Sequence, residues 1–257
     1  MEKFHSEEYQ RTFQYLTQFE NGSNLDKFSF IYKPSVIIGE DDLKASVEAL
    51  KIIIKYCGIR DSSWAELHHF VNFLNIQLRD CEESVFCDPV LVGDLLQGFR
   101  TFAVRFMIQM SRDFATRSLS DNILGVEDAS RPEEDDDLTP FKIRRRWESS
   151  PHPYIFFNHD RNSMTFLGFL LSKKGDLLDP GTNSILEQRL MEPTLRDQLK
   201  HQGVDFDVNY EKRDRMARIA NLCSVMGMIQ IPDYDPDPTY ELTTDNVKKI
   251  LAIHMRF

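Results

Sequence analysis

Two long runs of apolar residues at helical spacing limit the folds open to this chain more than any other sequence feature. In SSWAELHHFVNFLNIQLRD, Ser63 and Glu66 stand at the spacing of a capping box, and an apolar stripe follows them. That stripe consists of Leu67, Phe70, Val71, Leu74 and Leu78. In LVGDLLQGFRTFAVRFMIQMSRDFA, the second stripe consists of Leu95, Phe99, Phe102, Phe106 and Met110. Because faces this wide must be buried, the spacing predicts two long helices packed into a core.

Two further helices are predicted near the start of the chain. SEEYQRTFQYLTQF offers Ser6 as an N-cap, and its apolar face consists of Tyr9, Phe13 and Leu16. EDDLKASVEALKIIIKYCG has a predicted face of Leu43, Val47, Leu50 and Ile54. Gly58 follows this second helix at the position where glycine ends helices.

Three shorter helices are predicted toward the other end. Residues 194–202 and 210–226 are each followed by a glycine, and a proline-rich loop, IPDYDPDP, comes next. The last helix begins after Thr243 or Thr244 and reaches Phe257 without a residue that signals its end. Its spaced residues are Val247, Ile250, Leu251 and His254. Because an isolated helix of about four turns is marginal in water, we expect its stability to come from packing.

A β-hairpin is predicted in YIFFNHDRNSMTFLGF. Tyr154–Phe157 and Met164–Phe169 are rich in aromatic and β-forming residues, and residues 158–162 between them have turn chemistry. We expect Phe156 and Phe166 to lie in the core, where burial of a large aromatic side chain contributes about 2–3 kcal/mol.

The composition changes between the helices and the hairpin. GVEDASRPEEDDDLTP contains Pro, Gly and a run of acids without periodicity, which indicates a solvated loop, with an acidic docking motif as the alternative. We therefore divide the chain into a helical subdomain (1–120), an acidic loop or linker (121–140), and a hairpin with further helices (141–257). The predicted fold class is mainly α with a β-hairpin, an α+β fold.

Charge and cysteine content exclude several function classes. The net charge of −10 over 257 residues argues against broad binding to nucleic acids or anionic membranes, but it leaves room for a small basic patch. No stretch of about 18 residues is free of charge, and MEKFHSEEYQ lacks the layout of a signal peptide. The four cysteines form no C-x-x-C motif. A reducing, cytosolic setting fits these features.

One motif imitates a P-loop. GDLLQGFRT, from Gly93 to Thr101, has the spacing G-x-x-x-x-G. A P-loop then requires Lys and Ser or Thr for the phosphates and Mg²⁺, whereas Phe99 and Arg100 stand there. We favour the interpretation that the glycines allow helices to pack closely.

A second motif imitates a Walker B strand. In YIFFNHD, Asn158 and His159 take the positions of the acids that hold Mg²⁺, and Asp160 comes one place too late. A hairpin turn is favoured over a degenerate nucleotide site.

Metal and anion sites are suggested only weakly. His68 and His69 are adjacent, not at the i,i+4 spacing that binds zinc on a helix, although Cys81 and Cys87 lie downstream. The arginines Arg144–Arg146 could bind phosphate or an acidic partner, but the nearby EEDDD favours local charge pairing or solvation. No nucleophile in a catalytic context stands out, so the residues alone indicate no complete active site.

Long strings of the sequence resemble a known family. SWAELHHFVNFLNIQLRDCEESVFC, FMIQMSRDFAT, RRWESSPHPYIFFNHDRNSMTFLGF and TYELTTDNVKKILAIHMRF resemble, in the same order, successive pieces of the mysterin family. These are giant RING-finger E3 ubiquitin ligases with a dynein-like core of tandem AAA+ units. The resemblance runs from about Ser6 to Phe257.

The resemblance implies a helical, lid- or linker-like segment of the AAA+ core, directly before a unit that binds ATP. On this basis the chain is expected to be a fragment, a truncated gene model or a short paralogue. ATP with Mg²⁺, zinc and the ubiquitin machinery are expected only in other parts of the parent, so no catalytic, cofactor-binding or metal residue is assigned here. The resemblance also implies neighbouring AAA+ units as partners and a cytoplasmic location, with links to lipid droplets and antimicrobial defence.

Two function classes follow. The first is a structural segment of an AAA+ ATPase and ubiquitin ligase, packed between ATPase units. The second is a free-standing helical interaction protein derived from such a gene. Transcripts that continue past the codon for Phe257 into a P-loop would favour the first. A cryptic nucleotide-binding fold is a third class, which rests only on the two imitated motifs.

Overall fold

A computed structural model describes residues 6–26, 41–58, 62–88, 95–115 and 153–255. Within these ranges lie seven α-helices and five short strands. The helices are α1 (Glu7–Glu20), α2 (Asp41–Cys57), α3 (Trp64–Glu83), α4 (Phe99–Ala115), α5 (Pro193–His201), α6 (Arg215–Met226) and α7 (Thr244–His254). The strands are β1 (Tyr154–Phe157), β2 (Met164–Leu167), β3 (Leu170–Leu171), β4 (Leu177–Leu178) and β5 (Ile185–Glu187). Short 3₁₀-helices occupy Val85–Cys87 and Tyr210–Lys212. The prediction of a mainly α fold with a β-hairpin is confirmed.

Helix α3 forms as predicted and lies at the centre of the first half. The backbone N–H of Glu66 donates to the Ser63 hydroxyl at 3.3 Å, and the N–H of Ser63 donates to the Glu66 carboxylate at 2.8 Å, which completes the capping box. All five residues of the predicted stripe are buried. Helices α1, α2 and α4 pack around α3. Because each buried Leu or Phe contributes about 1.5–3 kcal/mol, the stripe holds α3 in this position.

Helix α2 forms where predicted, but part of its predicted face is wrong. Val47 and Ile54 are exposed, whereas Ala49, Ile53 and Cys57 are buried. The three consecutive isoleucines in KIIIK point to different sides of the helix, so spacing alone does not determine which side is buried. Packing against α1, α3 and α4 selects the face that contains Ile53.

One residue of the predicted face of α1 is not fully buried, and one residue of the predicted face of α2 is not tested. In α1, Tyr9 and Leu16 are buried as predicted, but Phe13 is half-buried. The fully buried aromatic residue on this helix is Tyr15. The side chain of Leu43 lies outside the described part of α2.

Helix α4 begins later than the apolar pattern indicates. Residues 95–98 form a turn, and Gly98 has a φ of +89°, a conformation that ends regular helical geometry. As a consequence, Leu95 is exposed and Leu96 is buried in its place. The rest of the predicted stripe, from Phe99 to Met110, is buried as expected.

The β-hairpin is confirmed. Strands β1 and β2 pair antiparallel, with Tyr154 opposite Leu167 and Phe157 opposite Met164. All four residues of β1 are buried, since α4 covers one side of the hairpin and other core residues cover the other. Phe156 is buried as predicted, whereas Phe166 is only half-buried and packs at the periphery of the core.

A second sheet was missed from the sequence. Strands β3, β4 and β5 form an antiparallel sheet in the order β3-β4-β5. Each strand has only two or three residues, too few to show alternation. The buried guanidinium of Arg196 in α5 holds this sheet, because it donates to the carbonyl oxygen of Leu171 at 3.3 Å and to the Asp207 carboxylate at 2.8 Å.

Helices α6 and α7 cover the other side of the hairpin. The predicted helix 210–226 divides into a 3₁₀ turn and α6, and α6 begins where the Asp214 carboxylate accepts from the N–H of Ala217 at 2.8 Å. Helix α7 begins with Thr243 as its N-cap, as predicted. Val247 and Leu251 of α7 pack in one core cluster with the hairpin.

The core joins residues from both sides of the predicted linker. Phe106 of α4 stacks on Phe169, with ring centroids 5.3 Å apart, and Phe99 meets Phe157 edge to face. The acidic stretch at 121–140 lies outside the described residues, so the division into 1–120, 121–140 and 141–257 stays a prediction. In the described parts of the chain, no helix combines the length and apolarity needed to cross a membrane.

Candidate functional site

The start of α4, where the sequence imitates a P-loop, already binds a carboxylate of this chain. The backbone N–H of Gly98 donates to Asp26 Oδ2 at 2.8 Å, and the N–H of Arg100 donates to Asp26 Oδ1 at 2.8 Å. Backbone N–H groups at a helix N-terminus are those that bind phosphate in nucleotide sites. Asp26 therefore takes the place that a phosphate would need. Gly93, the first residue of the motif, lies outside the described residues.

The prediction that Gly98 allows close helix packing is wrong. A Cβ at this position would meet nothing closer than Leu195, at 3.6 Å, so the glycine is required by its positive φ. The neighbouring Arg100 donates to the carbonyl oxygens of Leu25 at 3.1 Å and Cys87 at 3.2 Å. Burial raises the pKa of Asp26, although the N–H donors and Arg100 oppose this.

The residues of the Walker B imitation brace the hairpin turn. The Asp160 carboxylate accepts from the N–H of Asn162 at 2.8 Å and from the N–H and hydroxyl of Ser163 at 3.0 and 2.7 Å. Asn158 donates to the Ser163 hydroxyl at 2.8 Å and accepts from Thr165 at 2.9 Å. The predicted turn is confirmed.

The two histidines and the cysteines downstream do not meet in the structure. His68 stacks on Tyr9, and its Nδ1 lies 3.5 Å from the Tyr9 hydroxyl. Cys81 and Cys87 lie together, with their Sγ atoms 3.0 Å apart. Among the residues that the structure describes, no three His, Cys, Asp or Glu side chains are arranged to hold a metal ion. Arg144–Arg146 lie outside the described ranges.

A cleft of about 500 Å³ lies where α3, the hairpin turn and the C-terminal ends of α6 and α7 meet. Its volume is within the range of small-ligand sites. Helix α3 contributes Gln77, Asp80 and Glu83, and the turn contributes His159 and Arg161. The helix ends add Val225, His254 and Met255.

The cleft wall carries an unusual set of acceptors. Gln77 is buried, and its Nε2 donates to the Ser111 hydroxyl at 2.9 Å, but its Oε1 has no hydrogen-bond partner within the described residues. Partial burial raises the pKa of Asp80 to about 6, and Glu83 adds to this while Arg79 opposes it. The Glu83 carboxylate pairs with Arg161 at 2.7 Å.

The cleft wall combines these acceptors with basic groups. Gln77 Oε1 and the Asp80 carboxylate both require hydrogen-bond donors. The C-terminal ends of α6 and α7 add the partial negative charge of helix dipoles. Because Arg79, His159, Arg161 and His254 line the same cleft, its wall carries basic as well as acidic groups.

An exposed apolar surface lies at the same end of α6 and α7. The two helices run in the same direction, because Arg218 in α6 donates to the carbonyl oxygen of Leu242 beside the start of α7, at 2.9 Å, while both C-terminal ends line the cleft. We call four exposed side chains at those ends the apolar end surface: Met228, Ile229, Ile231 and Ile253. Ile229 is 91% exposed. Large exposed apolar side chains at one end of a protein are a feature of surfaces that contact another protein segment.

Sequence reasoning missed both Asp26 and the cleft. A signal for the cleft was present in α3, because Gln77 lies between Leu74 and Leu78 in the buried stripe. A polar residue in such a stripe needs partners, and this one is only partly satisfied. No comparable signal links Asp26 to Gly98.

The sequence is similar to curated proteins along its whole length. E3 ubiquitin-protein ligase RNF213 of Mus musculus is 44% identical over 262 residues, which cover 99% of this chain and 5% of the relative. The protein of the same name from Homo sapiens is 44% identical over 265 residues, again 99% of this chain and 5% of the relative. E3 ubiquitin-protein ligase rnf213-beta of Danio rerio is 40% identical over 262 residues, 100% of this chain and 5% of the relative. No protein-family model matches the chain. The chain spans about one twentieth of the length of these relatives, and as such a segment it belongs to the RNF213, or mysterin, family.

Proposed function

We propose that this chain is a non-catalytic structural segment of a mysterin-like AAA+ ATPase and E3 ubiquitin-protein ligase. In this role its helices and hairpin pack between neighbouring AAA+ units of the parent protein and transmit their movements. ATP hydrolysis and ubiquitin transfer then belong to other parts of the parent. The chain itself needs neither ATP with Mg²⁺ nor zinc.

The observation that carries this proposal is the identity of 40–44%, which extends over at least 99% of the chain. Such similarity, without a break, to proteins named E3 ubiquitin-protein ligases supports a place inside the same larger architecture. Because the chain matches only 5% of each relative, the relatives contain ample further chain to cover its surfaces.

The apolar end surface supports a contact with a neighbouring unit. Ile229 and Ile253 are largely exposed, at the ends of two helices whose opposite faces are already buried. Covering such side chains contributes roughly 25 cal/mol per Å² of apolar area removed from water. A second unit of the same parent chain is the occupant that we propose for this surface.

The non-catalytic role is supported by the contacts at both imitated nucleotide motifs. Asp26 binds the N–H groups at the start of α4, and Asn158 and Asp160 brace the hairpin turn. The proposal includes a cytoplasmic location with the association with lipid droplets that the resemblance implies. The four cysteines are free, which suits a reducing compartment.

The test replaces the counterpart segment in a full-length mysterin-family protein with this chain and then adds Ile229→Asp and Ile253→Asp. We expect both changes to reduce ATP hydrolysis and ubiquitin transfer by the parent, since a charge at the contact opposes packing of the next unit. Ile185→Asp is the matched control, because Ile185 is exposed on β5, outside the apolar end surface. Unchanged rates in the two surface variants, with the Ile185 control also unchanged, would contradict the proposal.

A free-standing helical interaction protein is the alternative function, because the apolar end surface could equally meet a separate partner. Transcript mapping distinguishes the two. Reads that continue past the codon for Phe257 into a P-loop support the segment of a larger ligase. A transcript that ends there supports the free-standing protein.

A further inference from the structure

Two buried thiols lie in contact at the end of α3. Cys81 is in the last turn of α3, and Cys87 is in the 3₁₀-helix that follows. Their Sγ atoms are 3.0 Å apart, and neither cysteine is in a disulfide. Five residues lie between them, and the turn that these form is held by Ser84, whose hydroxyl donates to the carbonyl oxygen of Cys81 at 2.8 Å. The chain therefore holds the two sulfur atoms close without bonding them.

The surroundings shift the pKa values of the two thiols in opposite directions. A hydrogen bond from the Cys81 thiol lowers the pKa of Cys87, and the guanidinium of Arg100 adds to this while burial opposes it. Arg100 is held beside Cys87 because it donates to the Cys87 carbonyl oxygen at 3.2 Å. The contact with Cys87 and burial raise the pKa of Cys81. The two pKa values thus shift in opposite directions, so Cys87 has the greater thiolate character of the two.

We propose that Cys81 and Cys87 are a redox-modification site, a dithiol that hydrogen peroxide converts into a reversible intramolecular disulfide. Cys87 is the attacking residue, and Cys81 is the resolving residue. Nothing in this proposal depends on the role of the chain in a ubiquitin ligase.

The reaction has two steps. The Cys87 thiolate attacks one oxygen of hydrogen peroxide, the O–O bond breaks, and hydroxide leaves with Cys87 as a sulfenic acid. The Cys81 sulfur then attacks the Cys87 sulfur, the S–O bond breaks, and the departing hydroxyl takes the Cys81 proton and leaves as water. The hydroxide from the first step takes up the proton that Cys87 had lost. One peroxide is reduced to two waters, and two thiols are oxidised to one disulfide.

The geometry requires only a small movement. A disulfide bond is about 2.05 Å long, so the sulfur atoms must approach by about 1 Å. Both cysteines are buried in the core, and the segment between them contacts the hairpin turn. The backbone N–H of Val85, between the two cysteines, donates to the carbonyl oxygen of Arg161 at 2.9 Å. Disulfide formation would therefore move the connection between α3 and the hairpin turn.

The test treats the folded 257-residue chain with hydrogen peroxide, blocks free thiols with iodoacetamide and digests with trypsin. Cleavage after Arg79 and Arg100 leaves both cysteines in one peptide, without Cys57 or Cys223. We expect this peptide to lose two hydrogen atoms and to carry no alkyl group, and we expect a thiol reductant to reverse the change. Cys57 and Cys223 serve as internal controls and are expected to remain thiols under the same treatment.

Two single variants separate the roles of the cysteines. In Cys81→Ser, peroxide should leave Cys87 as a sulfenic acid that dimedone traps. In Cys87→Ser, trapping of Cys81 should be at least ~10-fold slower, since the residue with less thiolate character reacts more slowly. Circular dichroism before treatment confirms that both variants fold. Alkylation of both thiols after peroxide treatment of the natural chain, or equal trapping in the two variants, would overturn the assignment.

Discussion

Lys248 allows a direct test of how a buried charge changes the free energy of unfolding of this fold. Its side chain extends from α7 into the core and is 2% exposed, with Nζ 5.1 Å from the centre of the Tyr154 ring. Desolvation lowers the pKa of Lys248 to about 8 from the ordinary value of 10.5, although Asp245, Asp113 and Glu211 oppose the shift. The folded chain therefore holds a charged amine that its surroundings disfavour.

The difference between these two pKa values determines how stability changes with pH. Between pH 8 and pH 10.5 the unfolded chain binds the lysine proton more strongly than the folded chain, so stability rises with pH in this window. Since one pKa unit corresponds to about 1.4 kcal/mol, the protonated amine costs roughly 3 kcal/mol at neutral pH. About 2 kcal/mol of this cost is relieved by pH 9.5.

The perturbation is Lys248→Met, which keeps an unbranched apolar stem and removes the titrating group. Urea unfolding of both chains between pH 7 and 9.5 gives their free energies of unfolding, and urea avoids the screening that guanidinium would cause. We expect the natural chain to gain about 2 kcal/mol relative to the variant over this range. Lys249→Met, at the exposed neighbouring position, should show no such change. A difference between natural chain and Lys248→Met that is independent of pH would refute the reasoning.

Three further predictions use the same chain. Calorimetric titration with Mg-ATP should show no saturable binding, because Asp26 holds the N–H groups at the start of α4; low-micromolar binding would contradict this. Gly175→Ala should destabilise the chain by at least ~3 kcal/mol in urea unfolding, because the new Cβ would lie 1.8 Å from the Met191 carbonyl oxygen. Gly203→Ala is its control, with a similar positive φ and no atom within 4 Å, and should cost only about 1–2 kcal/mol; equal costs would show that the contact does not matter. In hydrogen exchange, the amides of 251–255 should exchange faster than those at the centre of α3, because the last turn of a helix frays; equal protection would count against this.

The parts of the fold that were predictable from sequence are those with local signals. The capping box of Ser63 and Glu66 and the stripe after it are complete within one segment, so α3 could be located from residue spacing alone. The hairpin was equally accessible, because its turn chemistry lies between two aromatic runs. Thr243 likewise marks the start of α7 by its own side chain.

The errors occur where several local solutions have similar energies. Either face of α2 could have been buried, and only contact with its neighbours selects Ile53 over Ile54. The strands β3 to β5 are too short to have a pattern, and a distant contact, from the buried Arg196 of α5 to the Leu171 carbonyl oxygen, positions β3. Local propensity is weak in such segments, so packing decides.

The sequence by itself determined the helical stripes, their caps and the hairpin turn, since these depend on residues within a few positions of each other. It also carried the relationship to the mysterin family over the whole chain. Only the tertiary structure decided what the chemically interesting groups do. Asp26 reaches Gly98 across 72 positions, and the cleft combines α3 with the ends of α6 and α7. Such contacts leave no periodic trace in the sequence, because their energy arises only when the folded core brings distant donors, acceptors and charges out of water together.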